Sequence, residues 1–103
     1  MKTYNKLVRD KIPDIIAECG KKLEYYFLSD TEYLVELDRK LDEECSEYHF
    51  DKSLDELADM LEVIYAIAKA KGCSQSELEN IRIEKRLKRG GFEQKIFLQK
   101  AEE

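Results

Sequence analysis

The fold turns on Ser53-Leu54-Asp55-Glu56-Leu57-Ala58-Asp59-Met60-Leu61-Glu62-Val63-Ile64-Tyr65-Ala66-Ile67-Ala68-Lys69-Ala70-Lys71-Gly72. A serine followed three residues later by glutamate is a capping-box signal, and glycine after the last apolar residue is a stop signal. The stretch therefore predicts a helix over about Ser53–Lys71. At roughly 100° per residue, Leu54, Leu57, Leu61, Ile64 and Ala68 form one stripe. Met60, Val63 and Ile67 form a second, about 80–120° away. A helix apolar over so wide an arc is covered on two sides. It belongs at the centre of a helical bundle or at a boundary between subunits.

Working outward, the same opening signal recurs twice. Ser29 with Glu32 predicts a helix over Asp30–Tyr48, and Ser74 with Glu77 one over Ser74–Arg89, closed by Gly90-Gly91. Nearer the start, Asp10, Pro13 and Gly20 bracket a short helix carrying Ile12, Ile15, Ile16 and Cys19. Lys22–Leu28 and Lys95–Gln99 are aromatic and branched, and are expected as short β segments that pair with each other. The expected fold is all-α in the main. It is one domain over residues 1–103, an antiparallel helical bundle with one or two short β segments.

Composition limits function. The 103 residues are 43% hydrophobic and 40% charged, enough apolar content to fold. Eighteen basic against twenty-three acidic side chains leave −5, which argues against a general nucleic-acid binder or a binder of anionic membranes. No apolar run approaches the roughly 20 residues of a membrane span. Met1–Asp10 is polar and mixed in charge, unlike a signal peptide. Cys19, Cys45 and Cys73 are scattered and form no CxxC pair, so neither a disulfide framework nor a zinc site is expected. A cytoplasmic, reduced setting follows as the expectation. A domain this small covers the two-sided arc of its central helix poorly, which predicts a homodimer or homotetramer.

Carboxylates break the apolar pattern. The Asp30–Tyr48 helix has its stripe at Tyr33, Leu34, Leu37, Leu41, Cys45 and Tyr48, and Glu44 falls within roughly 20° of Leu37. Glu47 neighbours Glu44 at the edge of the stripe, and Glu43 lies further round. A carboxylate in an apolar face needs a cation, a raised pKa or a metal ion. In the next helix Glu56 and Asp59 also stand one turn apart. Across a helical hairpin the two acidic pairs can converge, and hard divalent cations such as magnesium favour such oxygens. A second interpretation stands beside this one. Acidic i, i+3 pairs are common on solvated faces, and Glu56 is also the reciprocal residue of its own capping box.

Glu43-Glu44-Cys45-Ser46-Glu47 followed by Glu56-Leu57-Ala58-Asp59 resembles the EExxE…ExxD signature of the all-α nucleoside triphosphate pyrophosphohydrolases. That superfamily includes MazG, phosphoribosyl-ATP pyrophosphohydrolase and the dimeric dUTPases. Tyr4-Asn5-Lys6-Leu7-Val8-Arg9-Asp10-Lys11-Ile12-Pro13 resembles the opening of small MazG-like proteins, and Arg89-Gly90-Gly91-Phe92 their closing segment. The resemblance implies a hydrolase dependent on Mg²⁺, with Mn²⁺ as a substitute. It would cleave a nucleoside triphosphate between the α and β phosphates to give monophosphate and pyrophosphate, in a house-cleaning role. It implies metal ligands at Glu44, Glu47, Glu56 and Asp59, and catalytic carboxylates at Glu43, Glu44 and Glu47, with Glu43 helping to orient the attacking water. The gap between the two acidic halves is shorter here than in many MazG and dUTPase sequences. Two alternatives are a phosphoribosyl-ATP pyrophosphohydrolase of histidine synthesis and a non-enzymatic helical interaction module.

A polyphosphate also needs positive charge. Lys6, Arg9 and Lys11 at one end, and Arg82, Lys85, Arg86, Lys88 and Arg89 at the other, are available. The resemblance favours Arg9, Lys85 and Arg89, and Lys6 joins them as a phosphate-binding candidate. Basic residues late in a helix also complement its dipole, and Gly90-Gly91 serves equally as a helix stop. No GxxxxGK[ST] loop is present, which argues against a Walker-type NTPase. His49, the one histidine, is expected near a helix end without a catalytic role. Cys45 is expected as a small apolar filler.

Overall fold

The computed structural model describes residues 1–103 and contains four helices. They are α1 (Ile12–Glu18), α2 (Asp30–Asp51), α3 (Leu54–Ala70) and α4 (Gln75–Arg89). Pro13 occupies the first turn of α1, where its missing N–H costs nothing. Ser29, Ser53 and Ser74 each accept a hydrogen bond from the backbone N–H three residues on, at 3.2, 3.3 and 3.1 Å. Only at Ser29 is the box reciprocal, with the Ser29 N–H donating to the Glu32 carboxylate at 3.1 Å. Glu77 instead accepts from the Ser74 hydroxyl. Glu56 does not turn back, and its carboxylate is free to point across the hairpin.

The link between α2 and α3 is very short. Lys52 takes a left-handed conformation at φ 59° and donates its N–H to the Tyr48 carbonyl at 2.7 Å, and Ser53 then caps α3. The two helices thus run antiparallel as a hairpin that contains most of the tertiary contact. Its seam is built from Leu37 and Glu44 on α2 and Val63 on α3, all buried. On α3 the Met60–Val63–Ile67 stripe faces inward. The other stripe is open only over its first part, with Leu54, Leu57 and Leu61 at 81%, 39% and 48% exposure, while Ile64 is half-buried and Ala68 buried. At the far end of α3, Gly72 (φ 84°) reverses the chain, and the Cys73 N–H returns to the Ala68 carbonyl at 2.8 Å. α4 then touches α3 lightly and runs on with its second half in solvent.

The two expected β segments do not form. Neither Lys22–Leu28 nor Lys95–Gln99 belongs to a strand. A strand exists only through ladder hydrogen bonds to a neighbour, and no backbone hydrogen bond joins these two segments. The aromatic residues that suggested strands are exposed instead: Tyr26 and Phe27 at one segment, Ile96 and Phe97 at the other. The molecule is elongated, 60 × 32 × 24 Å with a radius of gyration of 18.2 Å. A compact chain of this length would have a radius of about 13 Å.

Candidate metal centre

The hairpin brings the predicted carboxylates together. Glu44 from α2 and Glu56 and Asp59 from α3 each offer an oxygen, and these atoms all lie within 4.8 Å of one another. Glu44 is 7% exposed, in register with Leu37 two turns earlier, as the stripe requires. Oε2 of Glu44 and Oε2 of Glu56 are both covered and have no hydrogen-bond partner. Buried carboxylate oxygens without partners are costly, and two beside a third carboxylate are more so. Glu47 stands one turn beyond Glu44 and is exposed. It shares with Glu56 a cleft of about 470 Å³ that Ser46, Phe50 and Asp51 also line.

Protonation reflects the crowding. Burial pushes the Glu44 carboxyl up, and the nearby Glu47 and Asp59 carboxylates add to the effect against the pull of Lys40. Glu56 is pushed up to about 7, first by the loss of solvent and then by the neighbouring Glu47, Asp59 and Glu44 carboxylates. A proton on Glu56 is one way to relieve the repulsion. A divalent cation is another, and the donors present are all hard carboxylate oxygens of the kind Mg²⁺ and Mn²⁺ take.

The N-terminal basic residues reach this cluster. Arg9 Nη2 donates to Asp59 Oδ1 at 2.7 Å, and Lys6 Nζ to Glu43 Oε1 at 2.9 Å. The Lys6 ammonium holds the Glu43 carboxyl below its usual range, and Glu43 in turn raises Lys6. Both cations therefore line the site, paired with carboxylates. The basic residues of α4 behave differently. Arg82 pairs with Glu79, Arg86 with Glu93 and Lys88 with Glu84, while Lys85 and Arg89 have no ion-pair partner.

One participant is absent from the sequence-based expectation. Lys40, half-buried, places its ammonium 3.3 Å from Glu43 and 3.5 Å from Glu44. Its signal was available: three and four residues before Glu43 and Glu44 is the spacing at which helical side chains meet. His49 sits with Nε2 3.5 Å from Cys45 Sγ, apart from the carboxylates.

No family model matches this chain, and no solved structure matches it. A 42-residue stretch, 41% of this chain, is 50% identical to an uncharacterized protein of Mycolicibacterium smegmatis (strain ATCC 700084 / mc(2)155). The match spans 43% of that protein, less than half its length.

Proposed function

We propose that this chain is a Mg²⁺-dependent nucleoside triphosphate pyrophosphohydrolase of the MazG-like type. It cleaves the α–β phosphoanhydride to give a nucleoside monophosphate and pyrophosphate. The observation that carries the proposal is the meeting of Glu44, Glu56 and Asp59 at one end of a helical hairpin, with two covered oxygens lacking any partner. Such oxygens suit a hard divalent cation, and the cluster holds three of the four ligands that the motif resemblance implies, Glu47 being the one outside it. Glu47 lines a cleft together with Glu56, beside the cluster.

A divalent cation held by these carboxylates would supply positive charge to a polyphosphate and lower the pKa of a water. The protein's own groups hold it and manage the charge around it. Glu44, Glu56 and Asp59 supply oxygens, and Glu47 accepts a proton from the cleft side. Glu43, fixed by Lys6 and Lys40, orients a polar neighbour of the cluster. Arg9 and Lys6 stand at the rim, where either can turn from its carboxylate to a phosphate.

The test is a panel of nucleoside triphosphates, with phosphoribosyl-ATP among them, incubated with the protein and Mg²⁺ while pyrophosphate is measured. Release from at least one triphosphate is expected, abolished by Asp59→Asn with helix content unchanged. A folded, magnesium-loaded protein that releases pyrophosphate from none of them sinks the proposal.

A further inference from the structure

Of the three cations at the carboxylate cluster, Lys40 alone lies on the same helix as the acids it meets. Its Nζ stands 3.3 Å from Glu43 Oε2 and 3.5 Å from Glu44 Oε1. These are the i, i+3 and i, i+4 contacts that α2 imposes. Glu44 is thereby divided: Oε1 faces an ammonium, while Oε2 is covered and has no hydrogen-bond partner. The Lys40 side chain is 17% exposed, against 43% for Lys6 and 57% for Arg9. Lys6 and Arg9 come from the segment before α1 and have water beside them to swing into. Lys40 has its stem covered and its backbone held in a helix, so its charge stays where it is.

A fixed ammonium acts in opposite directions with and without a metal. Without one, it offsets part of the negative charge that Glu43, Glu44, Glu56 and Asp59 gather at the seam, and its removal leaves covered carboxylates uncompensated. With a divalent ion on Glu44, two positive charges share one carboxylate, and the repulsion between them scales with the product of the charges. An exposed lysine would turn away into solvent and escape that repulsion. Lys40 is too enclosed to do so, and the ion is held less tightly for it.

We propose that Lys40 is a built-in counter-ion of the metal centre, which stabilises the metal-free hairpin and in exchange keeps the affinity of Glu44, Glu56 and Asp59 for a free divalent ion low. It acts through Glu44 and Glu43 and not on a substrate, so it is a positioning residue and not a catalytic one. It lies outside both acidic motifs, yet it sets the strength of the site they form. The inference rests on the reading of the cluster as a metal centre.

The test pairs two measurements on the full chain: the metal-free Tm, and the Kd for Mn²⁺ alone by calorimetry. Lys40→Met keeps the apolar stem and removes the charge, whereas Lys40→Arg keeps the charge. Lys40→Met is expected to melt a few degrees lower without metal and to bind Mn²⁺ about tenfold more tightly. Lys40→Arg is expected to stay close to the wild type in both. A lower Tm with unchanged Mn²⁺ affinity makes Lys40 a packing residue only, and weaker Mn²⁺ binding makes it an anchor for Glu44; either result overturns the proposal. Circular dichroism checks the helix content of each variant, and Lys40→Gln replaces Lys40→Met if the latter loses it. Mn²⁺ binding by the wild type without the expected shift overturns this inference alone. No binding by wild type or variant overturns the metal centre itself, and this inference with it.

Discussion

Replacing Glu44 by glutamine reverses the order of stability according to whether magnesium is present. The oxygens of Glu44 and Asp59 lie within 4.8 Å, which at an effective dielectric of about 20 is a repulsion of about 3.5 kcal/mol. The Lys40 ammonium, 3.5 Å from Glu44, returns about 4.7 kcal/mol on the same scale. Glu47 adds a further repulsion, so the carboxylates together outweigh Lys40, and burial, the leading cause of the upward displacement of the Glu44 carboxyl, acts in the same direction. An acid whose value is raised by folding supports the fold below its unfolded value. That support is lost as pH rises through the folded value. At pH 8, without metal, Glu44→Gln is thus expected to stabilise by about 1 kcal/mol, a rise in Tm of about 4–8 °C. Magnesium at a hundred times its Kd adds about 2.7 kcal/mol to the wild type, roughly 10–20 °C, and little to the variant. Differential scanning calorimetry at one fixed protein concentration reads both effects. A variant that melts lower than wild type without metal, or that gains as much from magnesium, refutes the reasoning.

Other expectations concern separate parts of the chain. Glu56→Gln, which removes the group pushed up to about 7, flattens the fall in metal-free stability between about pH 4.5 and 7, measured by urea titration at each pH; an unchanged profile excludes Glu56 as its source. Leu37→Ala at the 3%-exposed centre of the hairpin seam costs about 2–4 kcal/mol in urea unfolding, and a loss below 1 kcal/mol places the core elsewhere. Ser29→Ala removes the reciprocal cap of α2 and costs about 1 kcal/mol, visible as a lower urea midpoint with an unchanged slope.

The helices were legible because serine caps, glycine stops and apolar spacing are local signals, and these fix α2, α3 and α4 to within about three residues. Glu44 was legible for the same reason: periodicity alone set it beside Leu37 in the seam. The convergence of Glu56 and Asp59 on it followed from the short link, and the ambiguity over the capping role of Glu56 ended with the direction of one side chain. Strand pairing was not legible. Tyr25, Phe27, Ile96 and Phe97 have the composition of strands, but a ladder depends on which segments meet, and that is decided by the whole chain. The partners of Lys6 and Arg9 were hidden likewise. Their attachment to Glu43 and Asp59 spans 37 and 50 residues, beyond the reach of any local pattern.

The two-residue turn at Lys52 and Ser53 has a consequence for how such a chain can diverge. With so little slack, a residue lost between the Ser53 cap and Glu56 rotates everything downstream by roughly 100°, which carries Glu56 and Asp59 out of the seam and brings Leu57 in, and a residue gained there turns them out the other way. Insertions are tolerable only outside the capped turn or in whole helical periods, so drift in length should skip this corner of the gene and accumulate at the far tip, around Gly72.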